Sequence, residues 1–184
     1  MLEKTTIKYR RQRERSMGFK KTSDTIAVSF GLVESAANTF TQEEIALQLD
    51  VLNNEIFVVL GIDLDVTNPE AIAGTDTASR ASVTTTSATI VESLQSTNCL
   101  ASARESIRAA GFVDGGVGFQ RAAETTIPAL VDYIGLIATN NFFVQCESLN
   151  ATQVMGVTGR LWGYRAKADA TTYAALVQSE VLSA

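Results

Sequence analysis

The chain has 184 residues, of which 46% are hydrophobic and 19% charged, a balance suited to one domain with a packed core and unsuited to a disordered protein. No apolar run approaches the roughly 18 residues that a membrane-crossing helix needs, so no membrane segment is expected. The net charge of −5 hides a division. Residues 1–21 carry eight basic residues against Glu3 and Glu14, a net +6, while the remainder carries seven basic against eighteen acidic, a net −11.

In chain order, the first expected unit is therefore a basic arm over residues 1–21, with Lys8, Arg10, Arg11, Arg13, Arg15, Lys20 and Lys21 as its contact residues. A block of like charge in this position reads as an interaction tail that phosphates or an acidic protein surface can neutralise. The apolar stretch Ile26 to Val33 follows basic residues, but Asp24, Ser29 and Gly31 break it up, so a secretory signal is not expected. The second unit, residues 22–184, is expected to be a single β-rich domain.

Within that domain the period is mostly two. Thr25 to Val33 reads as a strand. From Glu44 to Val51, Ile45, Leu47, Leu49 and Val51 alternate with polar or small residues, the pattern of a strand with one buried face. After the turn pair Asn53-Asn54, the segment Glu55 to Val66 is apolar on both faces, which predicts a central strand pairing back on its predecessor as a hairpin. Further strands are predicted over the Thr-rich Ala81 to Val91, Gly116 to Ala122, Val131 to Ala138, Phe142 to Leu149 and Val154 to Ala166. Asn68-Pro69, Asp114-Gly115-Gly116, Asn140-Asn141 and Asn150 supply the turns. Asn98 to Ala110 fits a helix and a strand about equally. Asp169 to Leu182 reads as a helix capped by Asp169, with Tyr173, Leu176, Val177 and Val181 at helical spacing.

Candidate chemistry is sparse. The chain has no histidine, which removes the commonest general base and transition-metal ligand, and its two cysteines, Cys99 and Cys146, lie too far apart in sequence for a zinc or redox pair. Asp63, Asp65 and Glu70 are candidate oxygen ligands for Ca²⁺. The run Asp114 to Phe119 is glycine-rich without the spacing or the lysine of a phosphate-binding loop, and reads as a hairpin turn. Arg160, Trp162 and Tyr164 fall on one strand face and would suit stacking of single-stranded bases, although such aromatics more often fill a core or a subunit contact. No catalytic residue is assigned, and the chain is expected not to be an enzyme.

About eight short strands in one domain imply a sandwich or barrel in which antiparallel sheets bury their facing sides. The order of parts, a short Arg-rich arm followed by about eight strands, resembles the single-jelly-roll capsid proteins of small viruses. That resemblance implies a jelly-roll β-sandwich and self-assembly into a shell of many copies. It also implies an arm that contacts neighbouring subunits or the packaged genome, and a virion location after assembly inside the host cell. The alternative is a small nucleic-acid-binding accessory protein that uses the arm and the Arg160, Trp162 and Tyr164 face.

Overall fold

The computed structural model describes residues 18–109, 119–123 and 131–182. Among them are ten strands: β1 Phe19–Lys21, β2 Ile26–Val33, β3 Thr41–Ala46, β4 Glu55–Val66, β5 Thr77–Thr84, β6 Cys99–Arg108, β7 Phe119–Ala123, β8 Gly135–Ile137, β9 Asn141–Leu149 and β10 Gly156–Ala168. A 3₁₀ turn, Val51–Asn53, precedes β4, and helix α1, Ala170–Leu182, ends the described chain. The described residues are mainly β, with two antiparallel sheets and one C-terminal helix.

The pairing is nested. β2 pairs β10, β3 pairs β9, β4 pairs β8 and β5 pairs β6, all antiparallel. Consecutive members of this nest alternate between sheets. The first sheet runs β2-β10-β4-β8, with β1 continuing the β2 edge along β10, and the second runs β3-β9-β5-β6-β7.

The two sheets enclose the main core. Phe30, Phe57, Ile62, Val157 and Leu161 of the first sheet face Val83, Ala101, Phe142, Val144 and Cys146 of the second. The rings of Phe30 and Phe142 meet edge to face across the sandwich, 5.7 Å between centroids. Burying each such ring contributes on the order of 1.5–3 kcal/mol. Close packing also demands glycine at two points of β10. A Cβ on Gly163 would lie 2.2 Å from the Phe57 ring and 2.3 Å from the Val58 carbonyl oxygen, and one on Gly159 would lie 2.5 Å from the Phe30 ring.

A second core lies on the outer face of the first sheet. Tyr173, Leu176 and Val177 of α1 pack there with Phe19 and Tyr164 on Ile56, Val58, Ala166 and Ala168. This explains why the start of β4 is apolar on both sides: Phe57 and Val59 face the other sheet, whereas Ile56 and Val58 face the helix. The Asp169 cap is present, its carboxylate accepting from the Thr172 backbone N–H at 2.8 Å. Val181 stays 65% exposed, so the buried stripe of α1 is one residue shorter than its spacing implied.

The hairpin predicted for Glu44 to Val66 does not form, because β3 pairs β9 and β4 pairs β10 and β8. Leu47 and Leu49 are buried as their alternation suggests, yet they lie beyond the end of β3. There the chain crosses between sheets through left-handed Gln48 (φ 53°) and Asn54 (φ 55°). Arg165 holds the crossing, donating to the carbonyls of Leu47 (3.0 Å) and Gln48 (3.1 Å) and approaching Glu55 at 3.3 Å. β5 ends at Thr84, seven residues short of its expected limit, and Thr85–Asn98 folds as a loop over the outside of the second sheet. The Thr84 hydroxyl donates to the Thr86 carbonyl at 2.6 Å, a local bond that competes with continued pairing. Residues 98–110 resolve as strand from Cys99 to Arg108, and the strand predicted over Val131 to Ala138 shrinks to Gly135–Ile137. The turn at Asp114-Gly115-Gly116 lies outside the described residues.

Candidate functional site

The last residues of the expected basic arm form β1. Lys8, Arg10, Arg11, Arg13 and Arg15 lie outside the described residues, while Lys20 and Lys21 are strand-paired to Lys167 and Ala166 of β10. The Phe19 ring meets Tyr133 edge to face at 5.9 Å, and the Lys21 ammonium sits 4.7 Å from the centre of the Tyr164 ring. Both contacts fix β1 on the α1 side of the first sheet. They also place exposed Lys20 directly opposite exposed Lys167. On its other side Lys167 stands opposite Glu55 of β4, so the row Lys20-Lys167-Glu55 sets one carboxylate beside the two ammonium groups.

The outer face of the first sheet beyond the helix is open. Its cross-strand rows run Ala27, Trp162, Gly61; then Ser29, Arg160, Asp63; then Gly31, Thr158, Asp65. Ser29, Asp63, Asp65, Thr158, Arg160 and Trp162 of these rows, with Phe30 and Gly159, line a shallow hollow of about 490 Å³. The Arg160 guanidinium lies 6.0 Å from the Trp162 ring centre and donates to the Ser29 hydroxyl at 3.3 Å.

This geometry divides the aromatic face expected from sequence. Arg160 and Trp162 share the open hollow, but Tyr164 packs within the cluster under α1 and carries Lys21 on its ring. Burial raises the Tyr164 phenol above its ordinary value. With Asp63 and Asp65 beside Arg160, the hollow has no excess of positive charge to hold a phosphate chain.

Of the three candidate cation ligands, Asp63 and Asp65 are brought together as exposed neighbours on the outer face of β4. Glu70 belongs to the following loop, where its carboxylate accepts from the Thr152 backbone N–H at 2.6 Å and from the Thr152 hydroxyl at 2.8 Å. Those bonds, the backbone one foremost, hold its carboxyl below the usual range. Among the described residues no three His, Cys, Asp or Glu side chains group as a metal site.

The thiols are protonated at neutral pH. Burial pushes Cys99 up to about 11 and Cys146 up to about 12. Neither forms a disulfide.

Two buried polar centres had no signal in the sequence. Glu34, at the end of β2, is 4% exposed. Its carboxylate accepts from the Ser148 backbone N–H, the Ser148 hydroxyl (2.8 Å) and the Met155 N–H (2.8 Å). Gln145 is fully buried on the outer side of β9 beneath the Thr85–Asn98 loop, accepting from Ser82 (2.8 Å) and donating to Thr84 (2.7 Å) and Gln42 (3.0 Å). Glu34 ties the end of β2 to β9 and to the segment before β10, and Gln145 ties β9 to β5 and β3, arrangements that rigidify the sandwich. A lone Glu or Gln in a strand has no spacing that could have announced it.

Neither a protein-family model nor a curated protein matches this chain.

Proposed function

We propose that the chain is a non-enzymatic structural subunit, a jelly-roll capsid protein that assembles in many copies into a viral shell. The observation that carries this reading is the nest of four antiparallel pairs, β2·β10, β3·β9, β4·β8 and β5·β6, alternating between two sheets. It is the order expected when one long hairpin is rolled into a sandwich, and jelly rolls are used as capsid walls. The basic arm adds to it. Arm residues 1–21 carry a net +6 beside a body of net −11, so the arm suits either a neighbour's acidic surface or a packaged genome. Ca²⁺ held by Asp63 and Asp65 remains part of this proposal, with Glu70 joining only by giving up its bonds to Thr152.

The test is electron microscopy of the purified full-length chain and of a variant lacking residues 1–17, with co-purifying nucleic acid measured for both. Closed particles are expected from the full chain. Intact but empty particles from the variant assign the arm to packaging, and loss of particles assigns it to contact between subunits. A full-length chain that stays monomeric at micromolar concentration overturns the reading.

A further inference from the structure

The sheet edges are unequally protected. β8 is an edge of three residues, and β3 carries Glu43 and Glu44, both common ways of discouraging strand addition. β2 has neither defence. It is eight residues long, Ile-Ala-Val-Ser-Phe-Gly-Leu-Val, with no charge and no proline, and it lies flat against β10 in unbroken register from Ile26 to Val33. Among the described residues, every backbone hydrogen bond of Ile26–Val33 goes to β10. The far side of the strand therefore presents its N–H and C=O groups outward, with Val33 61% and Ile26 39% exposed. An uncharged edge of this length is a template for another strand.

We infer that β2 pairs antiparallel with β2 of a second copy about a two-fold axis at Phe30, joining the two first sheets into one continuous sheet. This rests on the assembly reading above and specifies one of its contacts. The occupant follows from the assembly reading, and charge decides which edge it takes: at β3 a second copy would meet Glu43 and Glu44, whereas the rim of β2 sets no like charge against it from residue 26 to residue 33.

The residue pattern agrees. A two-fold axis through the sheet keeps each side chain on its own face, so residues of like parity meet. Centred on Phe30, Val28 meets Leu32 on the core side. On the outer side Ser29 meets Gly31, and exposed Val33 meets Ala27. From Ala27 to Val33 every pair is apolar or small, Ile26 falls opposite Glu34, whose carboxylate is turned inward onto Ser148 and Met155, and Phe30 meets its own copy above the inter-sheet core. Isologous contacts of this kind close after two copies, which makes the pair a building block for a larger shell.

The experiment uses two full-length double variants, Ser29→Lys with Gly31→Lys, and Ser29→Glu with Gly31→Glu. Both positions are exposed on the outer face. A Cβ at Gly31 meets nothing closer than 3.7 Å, so the substitutions are compatible with the fold. Far-UV circular dichroism and the fluorescence of the single tryptophan, Trp162, check this.

Native mass spectrometry is expected to show even-numbered species for the unmodified chain and at least about tenfold weaker association for each variant alone, since like charges then oppose across the axis. Mixing the lysine and glutamate variants should restore pairs containing one of each. Amide exchange should be slow across residues 26–33 in the unmodified assembly. Failure of the mixture to recover, or fast exchange at β2 within an intact assembly, overturns the pairing. Unmodified chain that assembles as the variants do defeats the β2 contact alone, and unmodified chain that is monomeric defeats the assembly reading with it.

Discussion

Glu180 is the residue whose environment conflicts most with its chemistry. It sits near the end of α1, 7% exposed, with one carboxylate oxygen accepting from the Ala138 N–H at 3.0 Å and the other without a partner. Burial raises its carboxyl above the ordinary value. The folded state then binds this proton more tightly than the unfolded state does. The resulting stabilisation is complete below the unfolded value and is lost as pH rises through the folded one. Replacing Glu180 with Gln should flatten this slope and leave the protein as stable as, or more stable than, the original at pH 7. Thermal unfolding between pH 4 and pH 8 measures it, and an unaltered slope would place the pH dependence elsewhere. Glu34 shows the contrasting solution, a buried carboxylate whose bonds to Ser148 and Met155 satisfy it.

Among the elements, α1 is peripheral to the sandwich yet sets the character of β4 and β10. It covers Ile56, Val58, Ala166 and Ala168, which would otherwise form an apolar patch on the outer face. Leu176→Asp should weaken that docking by about 2 kcal/mol, the scale of exposing one leucine. The sensitive measurement is local: faster amide exchange across residues 170–182 and around Ile56 to Val58, with the core around Phe57 and Phe142 still protected. Uniformly faster exchange would mean instead that helix and sandwich unfold as one unit. The sequence marked this helix through its cap and spacing, whereas its docking place depended on where β4 and β10 came together.

For the whole molecule, the separation of charge predicts opposite responses to salt. Contacts between bodies of net −11 should strengthen as salt screens their repulsion, while binding of a polyanion by the arm should weaken as salt removes the gain from counterion release. Light scattering of the nucleic-acid-free chain and nucleic-acid binding, each from 50 mM to 500 mM salt, should therefore slope in opposite directions. Parallel slopes would mean that arm and body do not act as separate charges.

How much of this was legible beforehand depended on the range of the interaction responsible. Period-two alternation marked β2, β9 and β10, and the Asp169 cap marked α1, because these signals arise from neighbours within a turn or a strand. The two-sheet, mainly β class followed from the number of such segments. The same local signal misplaced Leu47 and Leu49, which alternate and are buried but serve a crossing between sheets. The helix or strand character of residues 98–110 was decided by β5 and β7 pairing on either side of β6. Only the tertiary structure separated Tyr164 from Trp162 and Glu70 from Asp63, since a bulge, a docked helix and a loop bond to Thr152 act between residues distant in the chain. The sequence by itself determined which residues are apolar, which are charged and with what period. Partners, edges and the open β2 rim were decided by long-range pairing, because a strand's own residues specify a buried face but not the strand that will lie beside it.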